Sequence, residues 1–450
     1  MEIETLLNIS PIDGRYKNIT CDISNYFSEY AYIKYRVIVE IEWFKYLLKE
    51  EKIINYNGTL DNLNKIVEKF TVDECKRVKE IEKITNHDVK AIEYYIREKV
   101  SKTEFNKYIS FVHFACTSED INNLAYNLMI KDCINNIIVK SMEELILNVS
   151  NKARELREIP MLAHTHGQPA TTTTVGKELA VFVYRWNCIL NKIKNIKLKG
   201  KFSGAVGNYS AHCIAYDIDW IEFSKNFVEI LGFEYNPLVT QIESHDTICE
   251  LFSYIKLFNN ITLDFNLDMW MYISMNYFNQ KTVKTETGSS VMPHKVNPIN
   301  HENSMANIHM ANTIVDNFTN NLQISRMQRD LSDSSNLRNI GVMFSHTLIS
   351  IKQTIVAFSK MEINTEILNR DINDNPEVLA EAIQTVLRKN GFTDAYEKLK
   401  ELTRGKRVTL EEIREFILSL KISKEDKNRL LKLDPKEYIG LSSKLIDYMF

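Results

Sequence analysis

The chain has 450 residues, of which 44% are hydrophobic and 26% charged, with a formal net charge of −3. This is a globular composition with ample material for a core; the near-neutral balance argues against nucleic acid as a partner, and no run approaches the roughly 18 apolar residues of a membrane span. The start, MEIETLLNIS, places no basic segment ahead of an apolar run, so neither a secretory nor a transit signal is expected, and the cytoplasm is the expected location.

Glycine (13) and proline (8) are scarce, so the elements between them should be long. After a first break, SPIDGRYKN at 10–18, an apolar stripe runs through Ile23, Phe27, Tyr30, Ile33, Val37, Ile41, Phe44 and Leu48. Steps of three and four predict one helix over 22–50, with Asp22 as a plausible cap. In NHDVKAIEYY at 86–95, His87 and Asp88 precede a second helical pattern, and Asn86 or Asp88 could cap it. Further stripes cover 121–156, 174–199, 248–278, 301–323 and 339–361. The breaks between them are PMLAHTHGQPATTTT at 160–174, KFSGAVGNYSA at 201–211, TETGSSVMPHKVNPINHEN at 285–303 and QRDLSDSSNLRN at 328–339. No convincing alternating run announces a sheet, so the fold class is all-α or nearly so. Helices this long must lie along one another, which points to a bundle, completed within the chain or by other subunits. Boundaries near 112 and 363 divide the chain into an N-terminal helical domain (1–112), a central long-helix bundle (113–363) and a C-terminal domain of shorter helices (364–450).

The breaks carry the residues capable of chemistry, as loops on a rigid scaffold usually do. Seven scattered cysteines include no C-x-x-C, so neither zinc nor a disulfide framework is expected. His164 and His166 alternate as metal ligands can, but a third ligand is not evident, and no metal is expected. From Gly288 the run GSSVMPHK lacks the second Gly and the final hydroxyl of a phosphate-binding loop, and no G-x-S-x-G is present. Ser289 and Ser290, with Lys295 close behind, could form a base or an oxyanion site, or simply connect two helices. Arg329, Asp330, Ser334, Ser335 and Arg338 suit a phosphate or carboxylate, or equally a salt-bridged helix end.

Taken together, the breaks resemble a known family. Gly288 to Pro298 reads G-S-S-x-M-P-x-K-x-N-P, the signature of the fumarase/aspartase superfamily. S-P-I-D-G-R-Y at 10–16, T-N-H-D-V-K-A at 85–91, T-S-E-D-I-N-N at 117–123, T-H-G-Q-P-A at 165–170 and R-D-L-S-D-S-S-N-L-R-N at 329–339 are similar to its adenylosuccinate lyase branch. The resemblance runs from residue 10 to about 345. It implies three mostly helical domains, a homotetramer with a twenty-helix core, active sites drawn from several subunits, and no cofactor. It implies β-elimination of fumarate from adenylosuccinate, leaving AMP, and from SAICAR, leaving AICAR. By the same resemblance Ser289 is the base and His166 the general acid, oriented by Glu302. Lys295, Val296 and Asn297 hold the succinyl carboxylate, and His87 is placed among the catalytic residues, helping to bind substrate or to transfer a proton. Arg15, Tyr16, Ser334 and Arg338 would hold the phosphate. Asn86, Asp88, Thr117, Ser118, Gln241, Ser290, Asn303 and Arg329 would hold base, ribose or succinyl arms. The family often has Ser-Thr ahead of the last Arg; here Ser334, Ser335, Asn336, Leu337 and Arg338 keep a hydroxyl and complete the binding set. The alternatives are another fumarate-releasing lyase, such as one for argininosuccinate, and a non-catalytic helical homologue. Aspartate and malate carry no phosphate, which would leave Arg15 and Arg338 without a purpose.

Overall fold

With few residues to interrupt it, the chain spends most of its length in helices. The computed structural model describes residues 6–282, 288, 291–292, 294–405 and 408–450. In chain order the principal helices are α1 (Glu29–Lys49), α2 (Val72–Thr85), α3 (Asp88–Val100), α4 (Ser118–Cys133), α5 (Val139–Glu155) and α6 (Val175–Asn195). They continue with α7 (Asp246–Ser274), α8 (Ile299–Asn321), α9 (Ser332–Leu337), α10 (Ile340–Ser359), α11 (Ala380–Lys389), α12 (Leu410–Ser419) and α13 (Lys424–Leu431). Strands among the described residues form only two-stranded sheets, the largest a hairpin of β1 (Pro160–Thr165) and β2 (Gln168–Thr174). The fold class is all-helical.

Three features depart from the sequence-based expectation. The first helix begins at Glu29, not at Asp22, because Ser28 is extended (φ −82°, ψ 164°) and its hydroxyl accepts the Ala31 N–H at 3.1 Å. It caps α1, and the residues before it make only short turns. Second, the stripe over 121–156 is broken by a π-helical turn at Ile134–Ile138, which slips one extra residue between α4 and α5. Third, 160–174 is a hairpin, closed by His166 (φ 55°) and Gly167 (φ 72°). Positive φ at both central residues matches the twist of the flanking strands. The run of threonines at 171–174 supplies the β-branched residues of β2. Within Ser332–Ser359 one 18-residue window is apolar enough for a membrane helix, with a mean hydropathy of 1.3. That window is nevertheless 67% buried within the protein, which is how a core helix behaves.

The chain divides into two compact units. The first comprises Met1–Met142, Ile189–Asn260 and Ala306–Lys352. Its N-terminal core packs Val37, Ile41 and Phe44 of α1 with Ile92 and Ile96 of α3, all fully buried, each worth about 1.5–3 kcal/mol. A polar lock sits among its long helices: Asn259 Nδ2 reaches Asn312 Oδ1 and Thr347 Oγ1, both at 3.2 Å.

The second unit comprises Glu143–Cys188, Ile261–Met305 and Gln353–Phe450. It repeats the device: Asn266 Nδ2 reaches Thr354 Oγ1 at 2.9 Å and Ser304 Oγ at 3.3 Å. The Nδ1 of buried His301 lies 2.7 Å from Asn266 Oδ1, and burial pushes this imidazole down to about 4, keeping it neutral. The C-terminal helices close their own core through Ile383, Leu387, Ile413 and Ile417.

Candidate active site

The sequence-predicted residues fall into two groups, one in each unit. In the first unit a buried cation organises the group. Arg36 projects from α1, with its side chain 3% exposed, and pairs with Asp88 Oδ2 at 2.8 Å. Its Nε donates to Asn122 Oδ1 at 2.9 Å, and the guanidinium lies 3.7 Å from the centre of the Tyr32 ring. Burial pushes Asp88 up, but the Arg36 charge and hydrogen bonds more than offset this, so the carboxyl sits below its usual range. Arg338 reaches the same carboxylate at 3.7 Å and Glu29 at 2.9 Å, yet remains half-exposed. Arg329 pairs with buried Glu119 at 2.8 Å and donates to Ser334 Oγ at 3.1 Å. Glu119 also accepts from Asn122 Nδ2 at 2.6 Å, so Glu29, Arg338, Asp88, Arg36, Asn122, Glu119, Arg329 and Ser334 form one continuous polar chain.

Helix ends present the other members. Asn86 is the left-handed C-cap of α2 (φ 50°), and His87 caps α3, its Nδ1 accepting the Lys90 N–H at 3.1 Å. Asp88, expected as a possible cap, is the first residue of α3. Thr117 caps α4 in a reciprocal capping box with Asp120, which leaves Ser118 on the first turn, where backbone N–H groups favour anions. Gln241 donates to the Ala205 carbonyl at 2.9 Å. Asn336 accepts from Asn317 at 3.1 Å, Ser335 is exposed, and Leu337 is buried, so its side chain serves the core. The Arg15 guanidinium lies 6.0 Å from the Tyr16 ring centre. Arg338 also borders a cleft of about 550 Å³, lined by Ser10, Lys17, Ser24 and Ser28 among others.

In the second unit, His166 stands exposed at the tip of the β1–β2 hairpin. Gly288 is packed so closely that a Cβ built on it would collide with the Lys295 carbonyl oxygen. Asn297 Nδ2 donates to the Gly288 carbonyl at 2.7 Å, and Gln280 Nε2 to that of Val296 at 3.0 Å. The side chain of Lys295 is exposed. Ser289 and Ser290 lie outside the described residues. Glu302 is exposed on the first turn of α8, and it is Trp270 Nε1, at 3.2 Å, that it meets within the chain, not His166. Asn303 is half-buried beside it.

A family model described as "Lyase" matches residues 14–314, and one described as "Adenylosuccinate lyase C-terminal" matches 325–439. The chain is 47% identical over 453 residues to the adenylosuccinate lyase of Buchnera aphidicola subsp. Schizaphis graminum, with 99% of each covered. It is 45% identical to that of Escherichia coli (strain K12), again over 99% of each. The chain belongs to the adenylosuccinate lyase family. It is therefore a lyase of the fumarase/aspartase superfamily, and the fold agrees. A fumarate lyase from Mesorhizobium sp. BNC1 superposes with a TM-score of 0.76 at 17% identity, over 95% of this chain and 97% of that one. A β-carboxy-cis,cis-muconate cycloisomerase from Acinetobacter calcoaceticus sp. ADP1 gives 0.74 at 16%.

Within this adenylosuccinate lyase family fold, several contributors escaped the sequence reading. Arg36 lies inside an apolar helical pattern rather than on a break, and Glu119 stands in the T-S-E-D-I-N-N motif without having been assigned a role. Their signal was a charge on a buried face, which is costly unless paired. Trp270 looks like one more apolar residue of α7 until its indole N–H finds Glu302.

Proposed function

We propose that the chain eliminates fumarate from adenylosuccinate, giving AMP, and from SAICAR, giving AICAR. The observation that carries this reading is identity of 45–47% along the whole chain to proteins named adenylosuccinate lyase. The chemistry is demanding because the proton to be removed sits on carbon beside a carboxylate, while the departing nitrogen must gain one. A base, an opposed acid and fixed donors around the growing negative charge are needed. Ser289 takes the proton, activated by surrounding donors and positive charge. Lys295 and Asn297 hold the succinyl carboxylate, His166 protonates the leaving nitrogen, and His87 contacts the substrate. Arg15, Tyr16, Ser334 and Arg338 take the phosphate. The half-exposed guanidinium of Arg338, anchored by Glu29 and Asp88, supports that part of the reading.

The working form is a homotetramer in the cytoplasm with sites shared between subunits. Exposed apolar side chains on the long helices support it: Val181 and Tyr184 on α6, and Leu267, Trp270 and Met271 on α7. In this reading Glu302 orients His166 across a subunit boundary. The test is fumarate release by purified protein from adenylosuccinate and from SAICAR. Both should be cleaved, and Ser289→Ala should lose at least about 10²–10⁴-fold in kcat while still binding substrate. Turnover of argininosuccinate with neither purine substrate cleaved would overturn the reading.

A further inference from the structure

The capping-box partner of Thr117, Asp120, also belongs to a fully buried ion pair in the first unit. Lys201 Nζ is 2.8 Å from Asp120 Oδ1, and both side chains are 0% exposed. A pair this deep contributes little net stability, because desolvation cancels most of its attraction. What it does is hold backbone. Asp120 Oδ2 accepts the N–H of Thr117 at 2.8 Å and that of Gly204 at 3.1 Å. Its Oδ1 accepts the N–H of Ser203 at 2.8 Å. Lys201 Nζ in turn donates to the Gly204 carbonyl at 3.1 Å.

Followed outward, these bonds close a ring. The 203–205 turn receives Gln241 Nε2 on the Ala205 carbonyl at 2.9 Å. The backbone N–H of Gln241 donates to the Gln328 carbonyl at 3.3 Å. The next residue, Arg329, pairs with Glu119 at 2.8 Å, and Glu119 is the chain neighbour of Asp120. The segment bearing Thr117 and Ser118 is thus bonded to Asp120 directly, that bearing Gln241 through the 203–205 turn, and that bearing Arg329 through the adjacent Glu119. We propose that Asp120, paired with Lys201, is a positioning residue that presents these three segments to the substrate as one rigid frame. This rests on the proposed function, since it assigns the frame to substrate binding.

The test is Asp120→Asn, an isosteric change that puts a donor where the backbone N–H groups and Lys201 need an acceptor. KM for adenylosuccinate should rise at least about tenfold, which is about 1.4 kcal/mol, in protein that still unfolds cooperatively. Asp426→Asn is the control. It removes a buried carboxylate that pairs with Lys389 at 2.8 Å and takes the Asn390 side chain at 2.9 Å, and it should lower Tm while leaving KM unchanged. A folded Asp120→Asn enzyme with wild-type KM overturns the proposal. Hydrogen exchange on the wild type gives a second readout that does not depend on the variant folding. The amides of Thr117, Ser203 and Gly204 should exchange slowly and gain protection together when AMP binds. Fast exchange at any of them, or protection confined to one segment, also overturns the proposal. Failure of the wild type to cleave adenylosuccinate would instead sink the functional reading, while slow exchange of these amides would still be expected.

Discussion

Single residues carry unusual loads in this protein, and His113 is one. Its Nδ1 lies 2.5 Å from Oε1 of Glu40, whose side chain is fully buried. Burial pushes the imidazole down, but the Glu40 carboxylate, helped by Glu93 and Asp120, more than offsets it, so the value is raised above the ordinary 6.5. The sign follows from linkage: the stabilisation is complete below the unfolded-state value and is lost as pH rises through the higher folded-state value. Tm should therefore fall on moving from mildly acidic to alkaline pH, and His113→Gln should flatten that fall in parallel melts. An unchanged pH dependence in the variant would remove His113 from the explanation. His113→Ala should cost about 3–5 kcal/mol, because it leaves Glu40 buried without its partner. His113 was invisible to sequence reading: it lies in no motif, and only the fold brings it to a residue 73 positions away.

At the scale of elements, the long stripes were legible and the joints were not. The periods over 174–199, 248–278, 301–323 and 339–361 match Val175–Asn195, Asp246–Ser274, Ile299–Asn321 and Ile340–Ser359 closely, because an amphipathic stripe has one way to be buried. Ser28 broke the first helix unseen, since a serine inside such a pattern reads as a surface position. The hairpin escaped because its threonines and Pro169 mask any alternation, and His166 occupies a turn position usually held by Asn or Gly. The GSSVMPHKVNP run was recognisable as a motif, but its geometry was not. Gly288 is required less for freedom of φ than for the approach of the Lys295 carbonyl to its Cα. Gly288→Ala should force these strands of the loop apart, at about 1–3 kcal/mol of local strain. The expected result is at least a tenfold loss in kcat/KM with little change in Tm. A variant with wild-type kcat/KM would show that the contact has no bearing on turnover.

At the scale of the whole molecule, the sequence pointed beyond one chain. Leu267, Trp270 and Met271 are exposed on α7, and the proposed tetramer would cover them. If sites are shared, His166→Ala and Ser289→Ala proteins, each inactive alone, should recover fumarate release after their subunits are exchanged. Persistent inactivity after exchange verified by mass or sedimentation would place both residues in one chain's site. The proposed binding set could be named from the sequence because the motifs that carry it are contiguous. The frame beneath it could not, because Arg36, Glu119 and Lys201 meet their partners only through the fold.

The two asparagine locks of the long helices have a consequence for what kind of motion the enzyme can use. Asn259 and Asn266 lie seven residues apart on α7, and their partners Thr347 and Thr354 lie seven apart on α10. The spacing works like the wards of a key. Sliding α7 by one turn, about 5.4 Å, would part both amides from their threonine partners, at about 1–3 kcal/mol for each buried group left unmet. Ratcheting of helix past helix, a common way for helical proteins to relay a signal, is thereby closed to this pair. Opening and closing by a one-turn slide of α7 along α10 is thus disfavoured in this fold.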